Sequence, residues 1–224
     1  MDRRLNSENA TKKDFGMRLR RMLVRWIERR GYSPYRRLIV VCGMARTGTT
    51  ALTAYIASHP QVKLVVGGAL WHRLESDYVR TNVNWSFIDG VLDEFCPYRI
   101  LLKQPWLERN EDFFERAIGA KVLYCTREMD SLYLSWATSP YAGEDCRYQP
   151  DRMYLKDIPY FFNLMSKGAM RVRKEKMSPE LAKPLGKFLR LDPSGFDPER
   201  IIKKWEGARE REWIEARAIW RDKE

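Results

Sequence analysis

Cysteine is scarce: four residues in 224, namely Cys42, Cys96, Cys125 and Cys146. They are scattered and no pair has metal-ligand spacing, so neither a zinc module nor a disulfide scaffold is expected. Cys42 and Cys125 fall inside apolar runs, which predicts buried, reduced thiols. No apolar run approaches the roughly 20 residues that a bilayer-spanning helix needs. No secretory leader pattern opens the chain, so a cytoplasmic protein is expected. Acidic residues are outnumbered, 30 against 41 Lys and Arg, for a net charge of +11. That field favours anionic partners such as a nucleotide, a phospholipid or an acidic glycan. Zinc-finger and helix-turn-helix signatures are missing, and aromatics do not alternate with basic residues as in a single-strand-binding groove. Nucleic acid is therefore not an expected partner. Repeats and low-complexity blocks are absent too. An apolar content of 44% is enough for a folded core.

What is present is organised around residues 38–60, LIVVCGMARTGTTALTAYIASHP. The first five residues read as a buried strand. From Thr49 to Ser58 the apolar positions Ala51, Leu52, Tyr55 and Ile56 recur at helical spacing, and His59-Pro60 ends the run. The unit is strand, glycine turn, helix. Gly43 and Gly48 let backbone approach a ligand and line up N–H groups in a concave turn. Thr47, Thr49 and Thr50 add hydroxyls at the helix start, where N–H groups lack partners, and Arg46 adds a permanent cation. A phosphate suits such a turn. The spacing G-x-x-x-x-G-T-T lacks the lysine of the nucleotide-triphosphatase loop, where Thr49 stands instead.

Ahead of this unit, residues 15–30 predict a helix. Phe15, Leu19, Met22, Leu23, Trp26 and Ile27 form one face, with Arg18, Arg21, Arg25 and Arg29 on the other. Residues 1–35 read as a basic N-terminal segment and 36–224 as a single α/β domain. The helix suits either of two roles: lying on an anionic membrane at its inner face, or packing on the domain with its arginines wet.

Further strands are predicted at Val62–Val66, Arg99–Lys103 and Ala120–Cys125. Helices are predicted over 85–96, 109–118, 128–138, 154–170, 179–190 and 198–223, with an irregular loop at 140–153. In the 154–170 helix Tyr160, Phe161, Phe162 and Met165 are expected in the core. In the last helix Trp205, Trp213, Ile219 and Trp220 are expected to anchor it. Alternating strands and helices imply a mainly parallel sheet of four to five strands in a three-layer, P-loop-like α/β fold. Ligands of such folds bind beyond the carboxyl ends of the strands, where Arg46, Lys103 and Arg127 all fall.

With GMARTGTTAL at 43–52, LLKQP at 101–105 and AKVLYCTREMDSLYLSW at 120–136, the chain resembles the sulfotransferases that use 3'-phosphoadenosine 5'-phosphosulfate. The likeness is closest to the branch acting on glycans and tyrosine. ELAKPLGKFLRLD at 180–192 resembles, less sharply, the helix that follows. The resemblance implies that Arg46, Thr47, Gly48, Thr49 and Thr50 hold the 5'-phosphosulfate, and that Arg127 and Ser135 hold the 3'-phosphate. It implies that Lys103, with Arg46, assists the transferring group, and that donor binding needs no metal. The acceptor implied is a hydroxyl of a carbohydrate or another small or lipid-linked molecule.

A base must take the acceptor's proton from within about 3 Å. Related enzymes place a glutamate where this chain has Gly67 and Gly68. Glu75 and His72 are the first substitutes, with Asp77 and Glu108 also in reach of the role. Trp71, Trp85 and Tyr141 suit either stacking on a sugar or packing. Two other readings stand beside this one: a P-loop small-molecule kinase using ATP, and a non-catalytic, basic, membrane-associated nucleotide-binding protein.

Overall fold

Leu38–Cys42 (β1) consists of apolar residues only, so neither face of the strand suits water, and all five side chains are buried. The computed structural model describes residues 18–44, 46–66, 83–104, 107, 110–137, 150–197 and 199. In it β1 is the middle strand of five. The others are Val62–Val66 (β2), Arg99–Lys103 (β3), Lys121–Thr126 (β4) and Met170–Arg173 (β5). Their order is β2-β3-β1-β4-β5, and all four pairings are parallel. Parallel strands need long crossovers, which the helices supply. They comprise residues 18–29 (α1), Thr49–Ala57 (α2), Trp85–Glu94 (α3), Glu111–Arg116 (α4), Met129–Ala137 (α5), Pro150–Ser166 (α6) and Ala182–Leu189 (α7).

Successive side chains of a strand point to opposite faces, and β1 divides accordingly. Leu38, Val40 and Cys42 meet Ile88 and Leu92 of α3, Phe113 of α4 and Leu164 of α6. Ile39 and Val41 meet Leu52 and Tyr55 of α2 with Leu185 and Leu189 of α7. Each fully buried leucine or isoleucine adds about 1.5–3 kcal/mol by leaving water. The fold is α/β, a parallel sheet flanked by helices, as the alternating pattern implies. Cys42, Cys96 and Cys125 are buried and take part in no disulfide.

Direction of travel matters more than composition. The chain leaves β1 over the α2 face and passes β3 to reach β2. From β4 it leaves the other way, over the α6 face, to β5. Neighbouring strands whose connections part in this way open a crevice at their carboxyl ends. Here that crevice lies between β1 and β4. Register brings the strand ends level, with Val41 beside Lys103 and Cys42 beside Tyr124.

Several expectations need correction. Helix α6 begins at Pro150, so 150–153 is helical rather than irregular. Phe162 is 64% exposed, not core. A helix turn moves each residue by 100°, and the inward arc is taken by Phe161, Leu164 and Met165. The stretch at 179–190 is a 3-10 turn, Pro179–Leu181, followed by α7. Helix α1 does not pack by its apolar face with its arginines wet. Arg21 and Arg25 point at the domain, while Leu19, Met22, Leu23, Trp26 and Ile27 are 42–68% exposed. Among the described residues no helix is long and apolar enough to cross a membrane. Trp205, Trp213, Ile219 and Trp220 lie outside the described residues.

Candidate functional site

The turn after β1 is built by contact with β4. Gly43 has φ +125°, and a Cβ there would lie 2.5 Å from the Cys125 carbonyl oxygen. Only glycine meets both conditions. At the other end Gly48, φ +96°, is the N-cap of α2 and offers it no side-chain cap. The first N–H groups of α2 therefore keep their capacity to bind an anion. Between the two glycines Thr47 tightens the turn. Its hydroxyl donates to the Met44 carbonyl at 2.6 Å and its N–H to the same oxygen at 3.3 Å.

Arg46 sits in the left-handed region, φ +70°, which costs a residue with a Cβ about 1 kcal/mol or more. Its side chain is anchored on α5, the helix that follows the adjacent strand β4. Arg46 Nε and Nη2 donate to the Ser135 carbonyl at 3.2 and 3.0 Å, and Nε also donates to Ser135 Oγ at 3.2 Å. The Arg46 carbonyl in turn accepts from Arg127 Nη1 at 3.1 Å. Arg127 Nε is buried and has no hydrogen-bond partner among the described residues. A buried donor left unmatched is uncommon and costly. From β3, Lys103 Nζ donates to Thr50 Oγ1 at 2.6 Å. Thr49, in the place of the triphosphatase lysine, is buried, and its carbonyl accepts from Thr53 Oγ1 at 2.7 Å.

Arg46, Lys103, Arg127 and Ser135 are thus joined through one loop at the carboxyl edge of the sheet. Ser135 is bonded to Arg46 directly and is linked to Arg127 through the Arg46 carbonyl. The carboxylate nearest in sequence to Arg127, that of Glu128, is paired with Arg173 at the end of β5. The Glu128 N–H is held by Glu175 at 3.0 Å. The positive charge of Arg127 is therefore not cancelled by its neighbour.

Sequence reasoning missed Lys174. It directly follows β5, and its Cδ would lie 2.7 Å from a Cβ on Gly48. The signal was the one that marks the other cations, a basic residue just past a strand end, but this strand has only four residues. The base candidates His72, Glu75, Asp77 and Glu108 lie outside the described residues, as do Trp71, Tyr141 and Cys146. Trp85 is a packing residue. It stacks on Phe113 at 5.5 Å and meets the Tyr35 ring at 5.8 Å. Among the described residues no group of three or more His, Cys, Asp or Glu could hold a metal ion.

A scan against protein-family models finds no match, and a search of curated proteins finds no significant relative.

Proposed function

We propose that the chain is a sulfotransferase. It would move a sulfuryl group from 3'-phosphoadenosine 5'-phosphosulfate to a hydroxyl of a carbohydrate or another small or lipid-linked acceptor. The observation that carries this reading is the meeting of Arg46, Lys103 and Arg127, from three strand ends, around one glycine turn. The donor has two anionic ends, and the site has two sets of donors. The turn from Gly43 to Thr50, with the uncapped start of α2, suits the 5'-phosphosulfate. Arg127, with its unmatched Nε, and Ser135 suit the 3'-phosphate. The guanidinium groups of Arg46 and Arg127 now reach neutral oxygens, and a phosphate oxygen is a stronger acceptor that would replace them.

The donor supplies an activated sulfuryl group whose transfer leaves negative charge on a phosphate oxygen. Lys103 is oriented by Thr50 and meets that charge together with the turn's N–H groups. Fixed donors need no reorganisation when charge develops, and one such contact is worth about 3 kcal/mol, or roughly a hundredfold in rate. The acceptor's proton passes to a base, for which Glu75, His72, Asp77 and Glu108 are the candidates.

The test is transfer from labelled donor to a panel of glycans, lipids and small alcohols, beside binding of adenosine 3',5'-bisphosphate and ATP. Transfer that vanishes in Arg127→Ala supports the proposal. Preference for ATP with magnesium would favour a kinase instead. Tight bisphosphate binding without transfer to any acceptor would leave a binding protein.

A further inference from the structure

We infer that α1 is a docking helix for an anionic lipid surface. An amphipathic helix on a water-soluble domain ordinarily buries its apolar stripe. Here the polar side is the one consumed. Arg21 Nε donates to the Cys96 carbonyl at 3.0 Å and its Nη2 to the Glu94 carbonyl at 3.3 Å, at the carbonyl end of α3. Arg25 pairs with Asp93 at 2.6 Å, and Glu28 pairs with Arg37 at 3.0 Å. These contacts fix the helix's rotation about its own axis.

The face turned outward is Leu19, Met22, Leu23, Trp26 and Ile27, each 42–68% exposed. At about 100° per residue, Arg20 borders this stripe beyond Ile27 and Arg29 borders it beyond Met22. The Arg30 guanidinium lies over the Trp26 ring, 3.9 Å from its centroid. Glu28, the sole acidic residue from 18 to 29, faces the domain. An apolar stripe containing tryptophan between basic borders is the build of a helix that lies in a membrane interface. The same borders would repel a second copy of this face. Charge complementarity therefore selects an anionic bilayer as the occupant, with the apolar side chains entering it and the arginines on its headgroups.

The experiment is sedimentation of the full chain with phosphatidylcholine vesicles, with and without phosphatidylserine, at low and high salt. Binding should require phosphatidylserine and weaken with salt. The triple variant Leu19→Ser, Leu23→Ser, Trp26→Ser should lower partitioning about a hundredfold. Arg20→Gln and Arg29→Gln, two surface changes that leave the fold intact, should each lower it about fivefold. Absence of phosphatidylserine-dependent binding overturns the inference, as does undiminished binding by the triple variant. Light scattering that shows a dimer dissolved by the triple variant, with vesicles ignored, would mean that the stripe is covered by another copy.

Discussion

Arg37 precedes β1 and Arg127 follows β4, so they stand at opposite ends of adjacent strands. Arg37 pairs with Glu28 and also donates to the Leu92 carbonyl at 2.7 Å. Its neighbours at that end behave alike, Arg25 with Asp93 and Arg116 with Asp89. Arg127 and Arg46, at the other end, reach only neutral oxygens among the described residues. A cation matched by a carboxylate ties helices together. A cation held by carbonyl and hydroxyl oxygens retains its attraction for an anion from solution. Arg37, Arg25 and Arg116 are thus matched by carboxylates, whereas the two arginines at the turn after β1 are held by neutral oxygens.

Five changes would break or sharpen that contrast. Gly43→Ala should be the most damaging, because its Cβ would drive the turn off the Cys125 carbonyl. A loss of about 4 kcal/mol in urea unfolding is expected, and a near-normal midpoint would refute the close approach. Arg127→Ala should cut transfer about a hundredfold, or ~3 kcal/mol, while thermal unfolding stays in place. Arg37→Ala should do the converse, costing about 2 kcal/mol of stability with transfer per folded molecule unchanged. Arg116→Ala, at an exposed pair, should cost within about 1 kcal/mol and leave transfer alone. Equal loss of activity in Arg37→Ala and Arg127→Ala would erase the distinction between the two ends.

The last test is a pH titration of stability. His59 Nδ1 accepts from the Gln61 N–H at 3.1 Å, which places the ring proton on Nε2, 3.2 Å from the Asp192 carbonyl. Burial pushes its pKa below the ordinary histidine value. The folded state thus keeps the ring neutral while the unfolded state takes up a proton. This contribution is fully present above about pH 6.5 and is lost as pH falls below it. Unfolding midpoints measured down to about pH 5.5 should fall, and His59→Gln should flatten the trend. A wild-type midpoint that does not move would sink the assignment.

Sequence periodicity was sufficient for β1, β2 and β3, whose ends agree with the expected residues, and for β4 within one residue. β1, β3 and β4 are apolar in their centres and buried there on both faces, and β2, at one edge, is apolar but for the exposed Lys63. MRVR of β5 is short and half polar, as suits an edge strand, so it carried no such signal, and Lys174 was lost with it. The convergence of Arg46, Lys103 and Arg127 was legible because parallel strands send their carboxyl ends to one side. The bond from Arg46 to Ser135 was not, since it spans 89 positions and depends on how α5 leaves β4. Periodicity showed α1 to be two-sided but not which side faces the domain. That depended on the carbonyls of Glu94 and Cys96 at the end of α3, which arginine satisfies and leucine cannot.

The position of α1 has a consequence for reach. It contacts the domain where α3 ends and β1 begins, and the Gly43–Thr50 turn lies one strand length away. Five residues at about 3.3 Å each put some 17 Å between those levels. If the proposed bilayer lies beyond that end of the sheet, the turn would stand off from the lipid by about this length. Acceptors free in water, or raised on a stalk, would then be served ahead of groups lying flush with the surface.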